Sequence, residues 1–204
     1  MSSPQQPHPR LFIQMSGAPG SGKSTIARLL RPCINGVVID HDVLRSSLLE
    51  SGIIPFDQAA KQAYLLQWAL AEDMMKQGFS VIIDSTCNYA EVLARGSALA
   101  AQGGYEYWYV ECKVQDLDLL DRRLGSRDSK ASQRTSVDRH PVAAQHTRAG
   151  EDPRALFVKW IENPCRPSYD NAIVVDATEH PETLRDQILD RILPGRQKAG
   201  SMPS

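Results

Sequence analysis

The chain has 204 residues, 42% of them hydrophobic and 23% charged, with a formal net charge of −1. That length buries the core of one α/β domain, and a near-neutral balance lacks the positive excess of a protein that grips long nucleic acid. Four cysteines, at positions 33, 87, 112 and 165, form no CxxC pair and have no metal-ligand spacing, which excludes a zinc-finger pattern and predicts buried thiols in a reducing compartment.

Residues 1–10 are polar and proline-rich, lack the apolar core of a signal peptide, and read as a disordered tail. No apolar run approaches the ~18 residues of a membrane helix, so a cytoplasmic protein without a membrane partner is expected. The apolar run 11–15 reads as a buried strand. It leads directly into Gly17, Ala18, Pro19, Gly20, Ser21, Gly22, Lys23, Ser24 and Thr25, which spell GxxxxGK[ST]. Between a strand and a helix this pattern is a phosphate loop. Its backbone N–H groups form a nest for phosphate oxygens at the positive end of a helix. Lys23 is placed to reach the β- and γ-phosphates of ATP and Ser24 to ligate Mg²⁺. Thr25 is expected to begin a helix carrying Ile26, Ala27, Leu29 and Leu30.

A second strand, 36–40, ends in Asp40, followed by His41, Asp42 and Arg45. Carboxyl ends of parallel strands face the ligand crevice. Asp42 and Arg45, three apart, share one face of a starting helix. Asp42 can take a proton from an acceptor hydroxyl or cap the helix, with Asp40 and His41 as competitors. Arg45 can bind the acceptor or a phosphate. Tyr64, Trp68, Ala71 and Met75 recur at helical spacing within 57–77, with Asp57 able to cap and Gly78 to terminate. The third strand, 79–84, is apolar and ends in Asp84, a Walker B-like pattern that serves Mg²⁺, a metal-bound water or the acceptor.

A helix is predicted over 91–102 and a strand over 105–111. There Tyr105, Tyr107 and Tyr109 share one face and read as packing beneath a helix, an acceptor pocket being the alternative. Trp68, Trp108 and Trp160 fit core or half-buried packing. Residues 125–150 are polar, and between residues 122 and 148 Arg122, Arg123, Arg127, Lys130, Arg134, Arg139 and Arg148 stand against only Asp128 and Asp138. Such a segment near a phosphate site reads as a mobile lid, a solvated loop being the alternative. Arg123 and Arg127 stand four apart, so a helical turn would aim both at a γ-phosphoryl group. His140 and His146 lack a third metal ligand. A fifth strand, 172–176, a helix, 181–193, and a disordered tail, 194–204, complete the chain. Strands alternating with helices imply a mostly parallel five-stranded sheet.

The phosphate loop, Asp42-x-x-Arg45, the strand ending in Asp84 and Arg123-x-x-x-Arg127 occur here in the order found in small P-loop kinases. Residues 11–193 resemble the AAA-type predicted-kinase group, and are similar to the kinase domain of polynucleotide kinase, to chloramphenicol phosphotransferase and to zeta-toxin-like kinases. The resemblance implies a P-loop NTPase three-layer α/β/α sandwich with a lid at about 125–150, using ATP and Mg²⁺. It implies Lys23 and Ser24 on the triphosphate and metal, Asp42 as general base, Arg45 on the acceptor, Asp84 on metal or acceptor, and Arg127 acting from the lid. It adds Arg95, on the helix after strand three, as an acceptor contact. Relatives often continue strand three with Ser/Ala-Thr-Asn, whereas Cys87 here precedes Asn88. The expected function is transfer of the γ-phosphate to a hydroxyl of a small molecule. A polynucleotide 5′-hydroxyl kinase, not favoured by the charge, and a non-catalytic ATP-binding switch or partner-dependent ATPase are the alternatives.

Overall fold

The computed structural model describes residues 10–144, 150–168 and 170–194. Most of both predicted tails, together with His146 and Arg148, lies outside the described residues. The five strands are β1 (Leu11–Ser16), β2 (Gly36–Asp40), β3 (Ser80–Asp84), β4 (Glu106–Lys113) and β5 (Ala172–Asp176). They form one parallel sheet in the order β2-β3-β1-β4-β5. β1 is paired on both edges and buried throughout, which is why its sequence is almost continuously apolar. The edge strand β5 alternates instead, with Val174 turned outward.

The helices are α1 (Lys23–Leu30), α2 (His41–Glu50), α3 (Phe56–Lys76), α4 (Ala90–Gly103), α5 (Leu117–Ser126), α6 (Pro153–Glu162) and α7 (Pro181–Ile192). They cover both faces of the sheet. On one, Ile26 and Leu30 of α1, Leu120 and Leu124 of α5, Phe157 of α6 and Leu184 and Ile188 of α7 pack on Leu11, Ile13, Met15 and Val110. On the other, Ala71 and Met75 of α3 and Val92, Leu93 and Leu99 of α4 pack on Phe12, Val81 and Ile83. This is the three-layer P-loop sandwich that the sequence predicts.

Tyr105, Tyr107 and Tyr109 are buried in this second layer. Their hydroxyls donate to Met75 O, Gln14 Oε1 and Cys165 O, at 2.7, 2.6 and 3.1 Å. They are packing residues, as their alternation suggests. The starts of α1 and α3 differ from expectation. α1 begins at Lys23, because Gly22 turns the loop into the helix with φ 96° and no side-chain cap. α3 is preceded by Pro55 rather than capped by Asp57, which sits in its first turn. α5 and α6 are additional helices, started by Asp116 and Asp152, whose side chains accept backbone N–H bonds. No helix among the described residues is long and apolar enough to cross a membrane.

Candidate functional site

The phosphate loop emerges from the central strand, and its shape depends on glycines. Gly17 has φ 126°, and a Cβ there would collide with the Cys112 carbonyl oxygen of β4. Gly20 and Gly22 also have positive φ, at 86° and 96°. Ser21 N donates to Ala18 O at 3.1 Å, closing the loop. The Lys23 ammonium folds back onto Ala18 O at 3.0 Å and is 8% exposed. It therefore stands at the loop with its charge only lightly hydrated, poised for a stronger anionic partner.

The β2–β3 register sets Asp40 directly opposite Asp84. The two carboxylates then diverge in role. Asp40 caps α2, Oδ1 accepting from Asp42 N at 2.9 Å and Val43 N at 3.3 Å. It also faces Lys130 Nζ at 3.6 Å. The capping job considered for Asp42 thus belongs to Asp40, and the Asp42 carboxylate is left for other work. Asp84 is buried. Its carboxyl is pushed up to about 6, chiefly by burial, with the Lys23 charge and a Ser24 hydrogen bond opposing. A hydroxyl beside a carboxylate is the oxygen donor set that suits a hard dication. Among the described residues no group of three His, Cys, Asp or Glu could hold a metal by itself. A Mg²⁺ that keeps waters and phosphate oxygens needs only one or two protein ligands.

A cavity of about 670 Å³ joins these groups. Pro19, Gly20, Ser21, Gly22, Lys23, Ser24 and Thr25 of the phosphate loop line it, as does Arg123. Asp84, Ser85, Thr86 and Asn88, at and after the end of β3, line it too. So do His41, Asp42, Arg45, Phe56, Tyr64 and Tyr89. Arg45 is clamped there: its guanidinium lies 3.8 Å from the Phe56 ring centroid, and Nη2 donates to Phe56 O at 3.3 Å. His41 packs on Tyr64, ring centroids 4.2 Å apart, and burial keeps its pKa low against the pull of Asp42. A neutral ring beside the arginine avoids a second cation there.

The basic connection between α5 and α6 forms a wall of the same cavity through Arg127, Lys130, Ser132, Gln133 and Arg134. α5 ends at Ser126 and Arg127 is extended (φ −89°, ψ 152°), so the helical turn invoked for Arg123 and Arg127 does not exist. The two arginines nevertheless meet the cavity from separate elements. Arg123 donates to Ala177 O after β5 at 3.0 Å, and Arg127 to Arg134 O at 2.9 Å. Arg134 is 4% exposed and donates to the carbonyls of Val137, Arg139 and Pro153. Its guanidinium lies over Trp160, at 5.2 Å, and Phe157. The segment is thus docked through polar anchors.

Gly17 and Ala18 shape the loop without lining the cavity, and Arg95 stands exposed on α4 outside it. The Arg95 charge is felt instead by Glu72 of α3. Sequence reasoning missed Gln133 and Ser132, whose side chains donate to the Asp42 carboxylate, and the aromatic wall of Phe56 and Tyr64. It also missed what Cys87 does. With φ 48° and its thiol buried against Gln14 and Ser85, Cys87 turns the chain so that Asn88 enters the cavity. The departure at Cys87 is therefore accommodated, and Asn88 is placed among the lining residues.

Residues 12–151 match the profile of a family described as an AAA domain. No curated protein matches the chain. Among solved structures, a candidate kinase from Chloroflexus aurantiacus superposes with TM-score 0.67 at 17% identity, covering 92% of this chain and 98% of that one. A sugar kinase from Janibacter sp. gives 0.60 at 15% identity, covering 90% and 95%. The APS kinase of Mycobacterium tuberculosis in complex with AMPPNP and APS gives 0.59 at 19% identity, covering 92% and 99%. At such identities the likeness is one of fold.

Proposed function

Because the chain belongs to the AAA domain family, here on a P-loop kinase fold, we propose that it is an ATP-dependent phosphotransferase acting on a hydroxyl of a small molecule. The observation that carries this reading is that one cavity is lined both by the phosphate loop and by Asp42 with Arg45. A nucleotide switch needs the first group and not the second. The names of the similar structures, APS kinase and sugar kinase, agree with a small acceptor.

In this scheme the loop amides and Lys23 hold the β- and γ-phosphates of ATP. Ser24 and Asp84 would hold Mg²⁺, which when bound would neutralise charge on the phosphate oxygens. Arg45, fixed by Phe56, orients the acceptor. Asp42 takes the hydroxyl proton as the acceptor oxygen bonds to the γ-phosphorus and the bond to the β–γ bridging oxygen breaks, releasing ADP. Arg127 stabilises the transferring group from the lid, and Arg123 lines the same cavity. Arg95 has no part. Residues 11–193 form the catalytic unit, with the lid at about 125–150.

Lys130 and Arg134 face Asp40 and the lid interior rather than an open surface, which favours a small acceptor over a polynucleotide. ADP release measured across a library of hydroxyl metabolites tests the proposal. Acceptor-dependent release should collapse in Asp42→Asn. Unchanged release would show that Asp42 is not the base, and release independent of any acceptor would favour the switch or ATPase alternative.

A further inference from the structure

Resting on the phosphotransfer reading, we infer that Gln133 is a positioning residue for Asp42, so that seating of the lid aims the base. Gln133 Nε2 donates to Asp42 Oδ2 at 2.8 Å. Its other end is also fixed, because Lys130 N donates to Gln133 Oε1 at 3.2 Å. A backbone N–H on the oxygen settles which end of the amide faces the carboxylate. The tip itself is a closed turn, Gln133 N donating to Lys130 O at 2.9 Å.

That turn is seated on α2 by a second residue. Ser132 is buried, its N–H donates to Ser46 Oγ at 3.1 Å, and its hydroxyl lies 2.9 Å from the same oxygen. The Ser132 hydroxyl lies 3.3 Å from Asp42 Oδ1. The short contact therefore falls on Oδ2 and the longer one on Oδ1. Oδ1 shares the Ser132 hydroxyl with the Asp42 carbonyl, both at 3.3 Å, and is the more open oxygen to accept a proton.

The chemistry of the donors matters. A cation directly on Asp42 would hold the carboxylate ionised and weaken it as a base. Lys130 of the lid pairs with Asp40, and Arg127, which feels the Asp42 charge, donates its hydrogen bonds to Ser129 and Arg134 O. Among the described residues the hydrogen bonds to the Asp42 carboxylate come from a neutral amide and a neutral hydroxyl, which orient it without a cation in direct contact. The same segment carries Arg127, whose guanidinium is tied to Arg134 O a residue beyond Gln133. The amide that orients the base and the charge-stabilising arginine are thus carried by one lid segment. An unseated lid has neither in place, which protects bound ATP from adventitious attack by water.

The test uses the full chain with ATP and Mg²⁺, taking concentrated glycerol as the acceptor hydroxyl and subtracting the ADP released in its absence. Gln133→Met keeps the side-chain length and removes the donor, and Gln133→Glu keeps the shape and adds a like charge. Each should lower kcat about 10- to 100-fold, as a mispositioned catalytic group does, with KM for ATP unchanged within about twofold because the phosphate loop is untouched. In an Asp42→Asn background the Gln133 substitutions should cost nothing further. Independently of turnover, the Gln133 side-chain amide resonances should shift in Asp42→Ala. Wild-type kcat in both Gln133 variants, an equal loss in both backgrounds, or unmoved amide resonances would overturn the inference. Loss in Asp42→Asn beside wild-type kcat in the Gln133 variants removes this inference alone. Full activity of Asp42→Asn, or no ADP from the wild type with any hydroxyl, overturns the phosphotransfer reading on which it rests.

Discussion

Replacing Asp84 by asparagine should make the metal-free protein more stable while impairing its response to ATP and Mg²⁺. The carboxyl is 5% exposed, and burial raises its pKa from 3.8 to about 6, reinforced by Asp40 and Asp42 and opposed by Lys23 and Ser24. A rise of roughly two units corresponds to about 3 kcal/mol at about 1.4 kcal/mol per unit. Below about pH 4 the carboxyl is protonated in folded and unfolded chains alike and costs nothing. Between about pH 4 and 6 the unfolded chain releases its proton first, so stability falls as pH rises, and above about 6 the whole cost is present. The neutral isostere Asp84→Asn escapes that cost. At about pH 7.5 it should be up to about 3 kcal/mol more stable, a rise in Tm of roughly 6–12 °C for a chain of this size, and the gain should shrink toward zero near pH 4. Urea unfolding with a chelator present, at several pH values, reads the difference directly. Equal or lower stability of Asp84→Asn at neutral pH would refute the electrostatic argument, because it would mean that the ionised carboxylate is well solvated or fully paired in the fold.

Other outcomes follow from individual contacts. Lys23→Ala should abolish the thermal stabilisation by ATP, which for the wild type at 100 times Kd is worth about 2.7 kcal/mol; a retained shift would remove Lys23 from the phosphate site. Gly17→Ala should cost at least about 3 kcal/mol, since its Cβ meets the Cys112 carbonyl, whereas Gly22→Ala, with nothing within 4 Å, should cost only the roughly 1–2 kcal/mol of its left-handed backbone; equal losses in urea unfolding would contradict this distinction. Phe157 is fully buried beneath Arg134, so Phe157→Ala should cost about 3–5 kcal/mol and speed proteolysis between residues 127 and 144. Unchanged protease resistance of that segment would show that Arg134 does not need its aromatic shelf.

The strands were legible because burial on both faces demands local apolar runs. The predicted second and fifth strands match β2 and β5 in full, and the third differs only at Phe79, which precedes the first ladder residue. α6 carried readable signals in Asp152 and Pro153, but the surrounding polar sequence obscured them. The basic connection was harder. Its polarity suggested a mobile lid, or a solvated loop, with few apolar anchors, yet Ser132 and Arg134 are among its most buried residues. Polar side chains make good anchors when every donor meets an acceptor, and composition cannot reveal whether it does. Arg95 lies outside the cavity for the opposite reason: a plausible distance along the chain did not put it on a face of α4 that lines it.

The phosphate loop was determined by sequence alone, because strand, glycine turn and helix start are contiguous and each residue's part follows from local backbone geometry. So were the acids at the ends of the second and third strands, since a strand's carboxyl end is known once its direction is. Which acid caps and which is free, and what grips the free one, required the tertiary structure. Asp42 and Gln133 are 91 residues apart, and they meet only because the sheet order and the path of the lid bring α2 and the segment after α5 to the same rim.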